Sequence, residues 1–392
     1  MFDPSDVAFL ADPYPAFAEL RAQGPVHHHD GLGLAVAVSH KAASSVLRHR
    51  SLGRIWRDAT PAEQFVSFNL LHRNSLLENE PPAHTRLRRL VSSAFARGHV
   101  ERLRPRVEEV ATQLVDNLAA RIRDEGQADF LAEVAQPLPV EVIAELLGVP
   151  DADRPLLVPW SNHIVKMYEY GLPDDKRAQA ERAAGEFVDY LRKLSAERAA
   201  DPGDDLISDL VRVRDDDNGK LSDDELVATA VLLLMAGHEA TVNVLGNGLR
   251  ALLDHRDQWE RLPSSVDTAV EEAIRYDSPL QLFERTATED VEIAGFRLEA
   301  GQKVGALLGA AARDPEVFAE PDAFDLDRSP NPHLGFGAGI HFCLGAPLAR
   351  VEIAAAFRAL TALPELELAG EPPRRPEFVM RGYRELPVTG VR

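Results

Sequence analysis

The apolar run from Leu226 to Gly237 is the longest in the chain, and its helical pattern continues to about Asp254. That makes roughly 30 residues, on the order of 45 Å at 1.5 Å per residue, enough to cross a whole domain. Ser222-Asp223-Asp224-Glu225 opens it as a capping box, in which Ser222 caps and Glu225 reaches back, with Leu221 and Leu226 flanking as a hydrophobic staple. Three-to-four spacing predicts further helices over 102–123, 140–147, 177–199, 206–213, 269–276 and 346–363, the last stopped by Pro364. A short opening helix is expected at 16–22, behind Asp12-Pro13-Tyr14-Pro15. Strand-like patterns are read at Leu34–Val38 and at Val291, Ile293 and Phe296. The pattern is therefore mainly α with small β-sheets. Residues 53–80 fit neither period, yet hold Ile55, Trp56, Phe65, Phe68, Leu70, Leu71, Leu76 and Leu77. A long irregular apolar segment either packs on the core or lines a pocket.

Polar residues interrupt this pattern in a few places. Ala236-Gly237-His238-Glu239-Ala240-Thr241 sits in the middle of the long helix. Glycine there costs about 1 kcal/mol relative to alanine, and a carboxylate in an apolar helix costs more unless it is hydrated or paired. The segment is either a kink with a snorkelling glutamate or a groove against a flat ligand, with Glu239 feeding protons into it. Pro81-Pro82 opens a helix in which His84 and Arg88 share one face and Arg86 and Arg89 another. Glu272 and Arg275 stand three apart, as an ordinary exposed pair does. His27-His28-His29 invites a metal reading, but successive strand residues face opposite ways and cannot converge on one ion. They read as partly exposed strand residues.

The densest chemistry lies near the C-terminus. Gly335-Phe336-Gly337-Ala338-Gly339-Ile340-His341-Phe342-Cys343-Leu344-Gly345 contains the only cysteine among 392 residues, so no internal disulfide can form. Its glycines leave a backbone able to lie against a large flat ligand with the sulfur aimed at it. The helix expected next places that sulfur beside a helix N-terminus, which favours thiolate over thiol.

Composition narrows the class. No Gly/Ser tract, repeat or long charge run divides the chain, and 45% hydrophobic residues can bury a large core, so residues 1–392 are expected to form one domain. A net charge of −20 argues against general affinity for nucleic acid or anionic membrane. The N-terminus carries acids where a signal peptide needs bases, and no uninterrupted apolar run reaches the roughly 20 residues of a membrane span. A soluble, cytoplasmic and monomeric protein is expected.

Phe336-x-x-Gly339-x-x-x-Cys343-x-Gly345, with His341 two residues before the cysteine, resembles the haem-binding signature of the cytochrome P-450 monooxygenases. Other landmarks follow the order of that family: the His84/Arg88 helix, the Glu239 helix, Glu272-x-x-Arg275, Arg285 and the Arg328 segment. The resemblance covers nearly the whole chain and is to the bacterial soluble type. It implies a triangular, mostly helical domain with haem b between the long helix and the helix after the cysteine. It implies Cys343 as the iron ligand, His84, Arg88, Arg285 and His341 at the propionates, and Phe336, Gly345 and Ala236 against the macrocycle. Glu272, Arg275 and Arg328 would form a buried ionic network, and Glu239, with water or Thr241, would relay protons.

One departure stands out. The family's acid is usually followed directly by threonine, whereas here Ala240 follows Glu239 and the hydroxyl arrives one residue late, at Thr241. One helical step turns a side chain by about 100°, so the two positions are not equivalent. A hydroxyl on the substrate, or water held by it, can replace the missing alcohol. The implied substrate is a hydrophobic small molecule walled by Phe65, Phe68, Leu233, Leu282, Phe283 and Val379, with O2 as co-substrate. Electrons would come from a ferredoxin and its reductase, docked at a local basic patch of Arg86, Arg89, Arg102 and Arg104. The same thiolate haem can also serve a non-catalytic sensor or small-molecule binding module.

Overall fold

The computed structural model describes residues 1–216, 220–363 and 366–390. Pro364, the expected helix stop, lies outside them. The described residues cluster into two compact units, and the chain passes between these at 53/54, 102/103, 138/139 and 239/240.

The first unit comprises Met1–Gly53, Leu103–Leu138 and the chain from Ala240 onward. Its main sheet has five strands in the order Val26–His29, Leu34–Ala37, Lys303–Leu307, Leu282–Ala287 and Leu52–Gly53. Leu34–Ala37 runs parallel to Lys303–Leu307, and the other pairings are antiparallel. Small side chains on these strands, Ala35, Ala37 and Ala306, let the helix His40–Arg48 pack close through Ala42, Ala43, Val46 and Leu47. Val291–Ile293 and Phe296–Leu298 form a separate hairpin. A three-stranded sheet joins Ala128–Asp129, Pro387–Gly390 and Leu366–Leu368. The helices Val266–Tyr276 and Ala346–Leu360 meet the C-terminal part of the long helix at Gly248, where an added Cβ would lie 3.0 Å from both Ala273 and Phe357.

The second unit, Arg54–Arg102 and Pro139–Glu239, is helical. Arg154–Val165 packs along Asp174–Ala200, which also carries the short helix Val66–Arg73. The carboxylate of Glu181 accepts from the N–H groups of Ser67 (2.8 Å) and Phe68 (2.9 Å), so a neighbouring helix caps this one. Residues 53–80 thus resolve into that helix flanked by single 3-10 turns at Ala62–Gln64 and Leu76–Glu78.

The long helix runs without a break from Asp223 to Asp254 and closes its capping box on both sides, Ser222 N–H to Glu225 (3.0 Å) and Glu225 N–H to Ser222 (3.2 Å). By length and composition it could cross a membrane, but 78% of its most apolar window is buried within the protein. It is a core helix.

Two expectations need correction. The pattern signalled no helix at Arg154–Val165, which carries Pro155 and Pro159. Pro155 occupies the first turn, where its missing N–H costs nothing, and the buried face of Leu157, Ser161 and Ile164 holds the helix past Pro159. His29 is buried rather than partly exposed, donating to the Phe2 carbonyl (3.0 Å) and accepting from the Leu32 N–H (3.2 Å). Among the described residues no group of three His, Cys, Asp or Glu side chains is placed to hold a metal.

Candidate active site

In the first unit, the cysteine loop is shaped by two glycines in the left-handed region, Gly337 (φ 71°) and Gly339 (φ 73°). A Cβ on Gly339 would also lie 2.5 Å from the Leu47 carbonyl oxygen, so no other residue fits there. The Cys343 N–H donates to the Phe336 carbonyl (2.9 Å), closing the loop on itself. Gly345 then caps the helix Ala346–Leu360, three residues beyond the sulfur. The helix is shorter than expected, its last turn loosening after Leu360 with Thr361 as cap.

Beneath the loop, two adjacent acids on the helix Val266–Tyr276 hold different partners. Glu272 and Arg275, both 0% exposed, are joined bidentately at 2.8 and 2.7 Å. Arg328 and Asn331 add donors to the same carboxylate, and Arg275 also reaches the carbonyls of Ala312, Pro321 and Ala323. Glu271 faces the loop: it accepts from Arg350 (2.5 and 2.8 Å) and His333 (3.0 Å), while Arg350 lies over the Phe336 ring at 4.5 Å. Burial alone would raise the Glu271 pKa, but Arg350 and then His333 outweigh it and bring it down to about 2. This grip escaped sequence reasoning. Its only signal was the second acid beside Glu272.

Arg285 is 3% exposed on strand Leu282–Ala287, opposite Val304, with its guanidinium 5.6 Å from the centre of the Phe283 ring. His341 ends the 3-10 turn Gly339–His341. Leu282 is buried opposite Leu307, and the Val379 carbonyl accepts from the Gln281 N–H (2.9 Å). In the long helix, Thr241 is buried and Ala240 partly exposed.

In the second unit, His84 is buried and Arg88 half-buried on the helix Ala83–Val91, one turn apart. Arg89 is exposed, but Arg86 is engaged by Glu225 (3.0 Å), which removes it from any free basic patch. Arg102 turns back on its own helix, to the Gly98 carbonyl and His99. Phe65 lies under Arg177 (4.8 Å), and Phe68 packs on His72 (4.0 Å) and Trp56 (5.9 Å), so both rings are packed against protein. Leu233 is buried.

The polar interruption of the long helix has two causes. A Cβ on Gly237 would lie 2.7 Å from Ile143, so the glycine admits a neighbouring helix, and the helix continues past it. Ala236 is exposed although Leu233, Leu234, Met235, His238 and Glu239 around it are buried. This bare patch of small side chains suits a flat ligand, as does the glycine-shaped cysteine loop. With a sulfur donor and a buried arginine, the residues present fit a thiolate-ligated haem.

The family description Cytochrome P450 matches residues 33–272 and 264–377. The chain belongs to the cytochrome P450 family. It is 42% identical to the cytochrome P450 monooxygenase PikC of Streptomyces venezuelae over 97% of this chain and 91% of that protein. To the 6-deoxyerythronolide B hydroxylase of Saccharopolyspora erythraea it is 41% identical, covering 97% and 96%. Among solved structures, P450BioI in complex with an acyl carrier protein ligated to hexadec-9Z-enoic acid superposes with a TM-score of 0.91 at 34% identity, covering 98% and 100%. This P450 therefore has the P450 fold and binds haem b. It is a haem-thiolate monooxygenase that inserts an oxygen atom from O2 into a hydrophobic small molecule.

Proposed function

We propose that this P450 hydroxylates or epoxidises a large apolar secondary metabolite of the polyketide, terpenoid or cyclic-peptide kind. The observation that carries the haem reading is the Cys343 loop, closed by its own backbone bond beside a helix N-terminus. The substrate class rests on the apolar character of the candidate wall residues Phe65, Phe68, Leu233, Leu282, Phe283 and Val379. The relatives named 6-deoxyerythronolide B hydroxylase and polyketide biosynthesis cytochrome P450 PksS, the latter of Bacillus subtilis, support it.

When bound, thiolate-ligated haem supplies activation of O2. The chain's own residues do the rest. Cys343 holds the iron, and His84, Arg88, Arg285 and His341 bind the propionates as charge-assisted donors. Phe336, Gly345 and Ala236 leave the macrocycle room. Glu239 moves protons through water, with Thr241 off the usual position, and a substrate hydroxyl takes the place that Ala240 leaves without an alcohol. Glu272, Arg275 and Arg328 keep the cysteine side rigid. Electrons come from a separate ferredoxin and its reductase, which meet the exposed Arg89. The protein works as a soluble cytoplasmic monomer and a single functional domain, its two units being interleaved in sequence.

The test is turnover with a surrogate ferredoxin and reductase, using compounds chosen by the low-to-high spin shift of the ferric Soret band. Oxygenated product is expected. Haem incorporation with no product from any spin-shifting compound would favour a sensor or binding module instead. An analogue lacking the reacting region's hydroxyl should uncouple electron flow from product; full coupling would refute the role given to that hydroxyl.

A further inference from the structure

Within the first unit lies a second buried ionic hub, separate from Glu272. Asp277 closes the helix Val266–Tyr276 and is 6% exposed. Its Oδ1 accepts from Arg381 Nε (2.6 Å) and the Tyr14 hydroxyl (2.8 Å), and its Oδ2 pairs with Arg374 Nη2 (2.8 Å). Burial alone would raise its pKa, but Arg374 and Arg381 outweigh this and hold it well below the usual carboxylate range.

Both arginines belong to one reversing segment, 374–383, whose arms are joined at Arg374 and Tyr383 and by the Arg375 N–H on the Gly382 carbonyl (3.0 Å). Arg374 also stacks over Tyr383 at 3.9 Å. The turn contains Val379, a proposed substrate wall. No helix or ladder strand fixes this segment. Its backbone meets the residues leading into the wall strand at an isolated bridge between Leu280 and Met380, and through the Gln281 N–H on the Val379 carbonyl and the Arg381 N–H on the Pro279 carbonyl (2.7 Å).

Asp277 joins the two arms through their side chains, and Arg374 also donates to Asn247 Oδ1 (3.2 Å). One carboxylate takes both arms, and Arg381 extends the grip to the carbonyls of Leu10 (2.5 Å) and Ala11 (2.8 Å). Asn247 of the long helix donates to the carbonyls of Asp277 (2.9 Å) and Arg381 (3.2 Å). One turn earlier on that helix, Asn243 lies so close that a Cβ on Gly382 would sit 1.9 Å from its Oδ1. The segment is thus pressed flat against the helix that carries Ala240 and Thr241.

We propose that Asp277 is a positioning residue for substrate selection, setting the depth of the Val379 wall by holding Arg374 and Arg381 together. The proposal rests on the monooxygenase reading above. Two iron-binding probes separate the wall from the metal: imidazole reads the iron alone, and 4-phenylimidazole also presses a ring against the wall. In Asp277→Asn holoprotein, the spectral Kd for 4-phenylimidazole should rise about ten-fold while that for imidazole stays within about two-fold. Hydrogen exchange of the Arg381 amide should quicken, with the amides of strand Lys303–Leu307 unchanged. Arg374→Gln, which removes one arm, should give a smaller shift of the same sign, and decides the matter if Asp277→Asn takes up no haem. Unchanged affinities for both azoles, or an equal loss for both, would overturn the positioning role. A parent protein without a thiolate-type spectrum would instead overturn the reading beneath it.

Discussion

The cysteine side of the first unit and the 54–80 segment of the second are secured by buried charge and aromatic stacking in different proportions. Around the cysteine loop, charged groups are buried and over-bonded: Glu272 serves Arg275, Arg328, Asn331 and the Asp325 N–H, and Glu271 grips the loop through Arg350 and His333. Residues 54–80 hold one buried pair, Arg54 with Glu78, and otherwise rest on aromatic stacking. Trp56 lies on His72 at 4.6 Å, His72 accepts from the Tyr168 hydroxyl (3.0 Å), and Glu181 supplies a cap. Burying charge costs so much that every partner must be in place, so a multiply bonded network has one geometry. Stacked rings tolerate small slides at little cost.

The sharpest way to break the contrast is Glu272→Gln. It strands Arg275 and Arg328 and should cost on the order of 3–5 kcal/mol, seen as loss of haem-loaded, cooperatively unfolding protein in a denaturant titration. A variant as stable as the parent would remove the rigid half of the comparison. Next in size is the acid dependence of Glu271. Its folded pKa of about 2 lies below the ordinary carboxylate value, so its stabilisation is complete above about pH 4.5 and fades as pH falls toward 2. Glu271→Gln should cost on the order of 2 kcal/mol at neutral pH and flatten stability across that window, since screening of a partly exposed pair trims the full linkage value. A parent curve already flat between pH 4.5 and 2 would contradict the grip.

In the yielding segment the effects should be smaller and local. Glu181→Ala removes the cap of helix Val66–Arg73 and should cost about 1 kcal/mol, read as faster hydrogen exchange of the Ser67 and Phe68 amides with little change in global unfolding. Loss of global stability as large as that of Glu272→Gln would show the two regions to be equally rigid. Smallest of all, Arg89→Glu should leave stability alone and slow reduction by ferredoxin in a salt-dependent way.

The same contrast explains what could be read in the sequence. Cys343, its glycines and the Glu272-x-x-Arg275 spacing are dictated by chemistry, because few residue types can do those tasks, and the capping box at Ser222 and Glu225 is a local rule that the structure follows. The helices that spacing did predict were legible to within a few residues at most ends, but His40–Arg48, Val66–Arg73 and Arg256–Arg261 were not signalled. Arg154–Val165 was not, since tertiary burial overrides proline there. The 53–80 segment has weak periodicity because its apolar residues serve stacking in several directions rather than one helix face. Gly237 was read as a ligand groove or a kink, whereas the structure adds Ile143, a partner 94 positions away that no local pattern announces. Arg86 looked available for docking until Glu225, far along the chain, was found holding it. Asp277 gave no signal at all, its partners being scattered from Tyr14 to Arg381.

The central claim is the bond between sulfur at position 343 and iron. The most direct measurement is the absorption spectrum of the reduced carbon monoxide complex, taken on the purified parent and on Cys343→Ser. The account predicts the red-shifted Soret band of thiolate ligation in the parent and its loss in the variant. A parent that stays colourless after reconstitution with haemin, or a variant with the parent's spectrum, would contradict it.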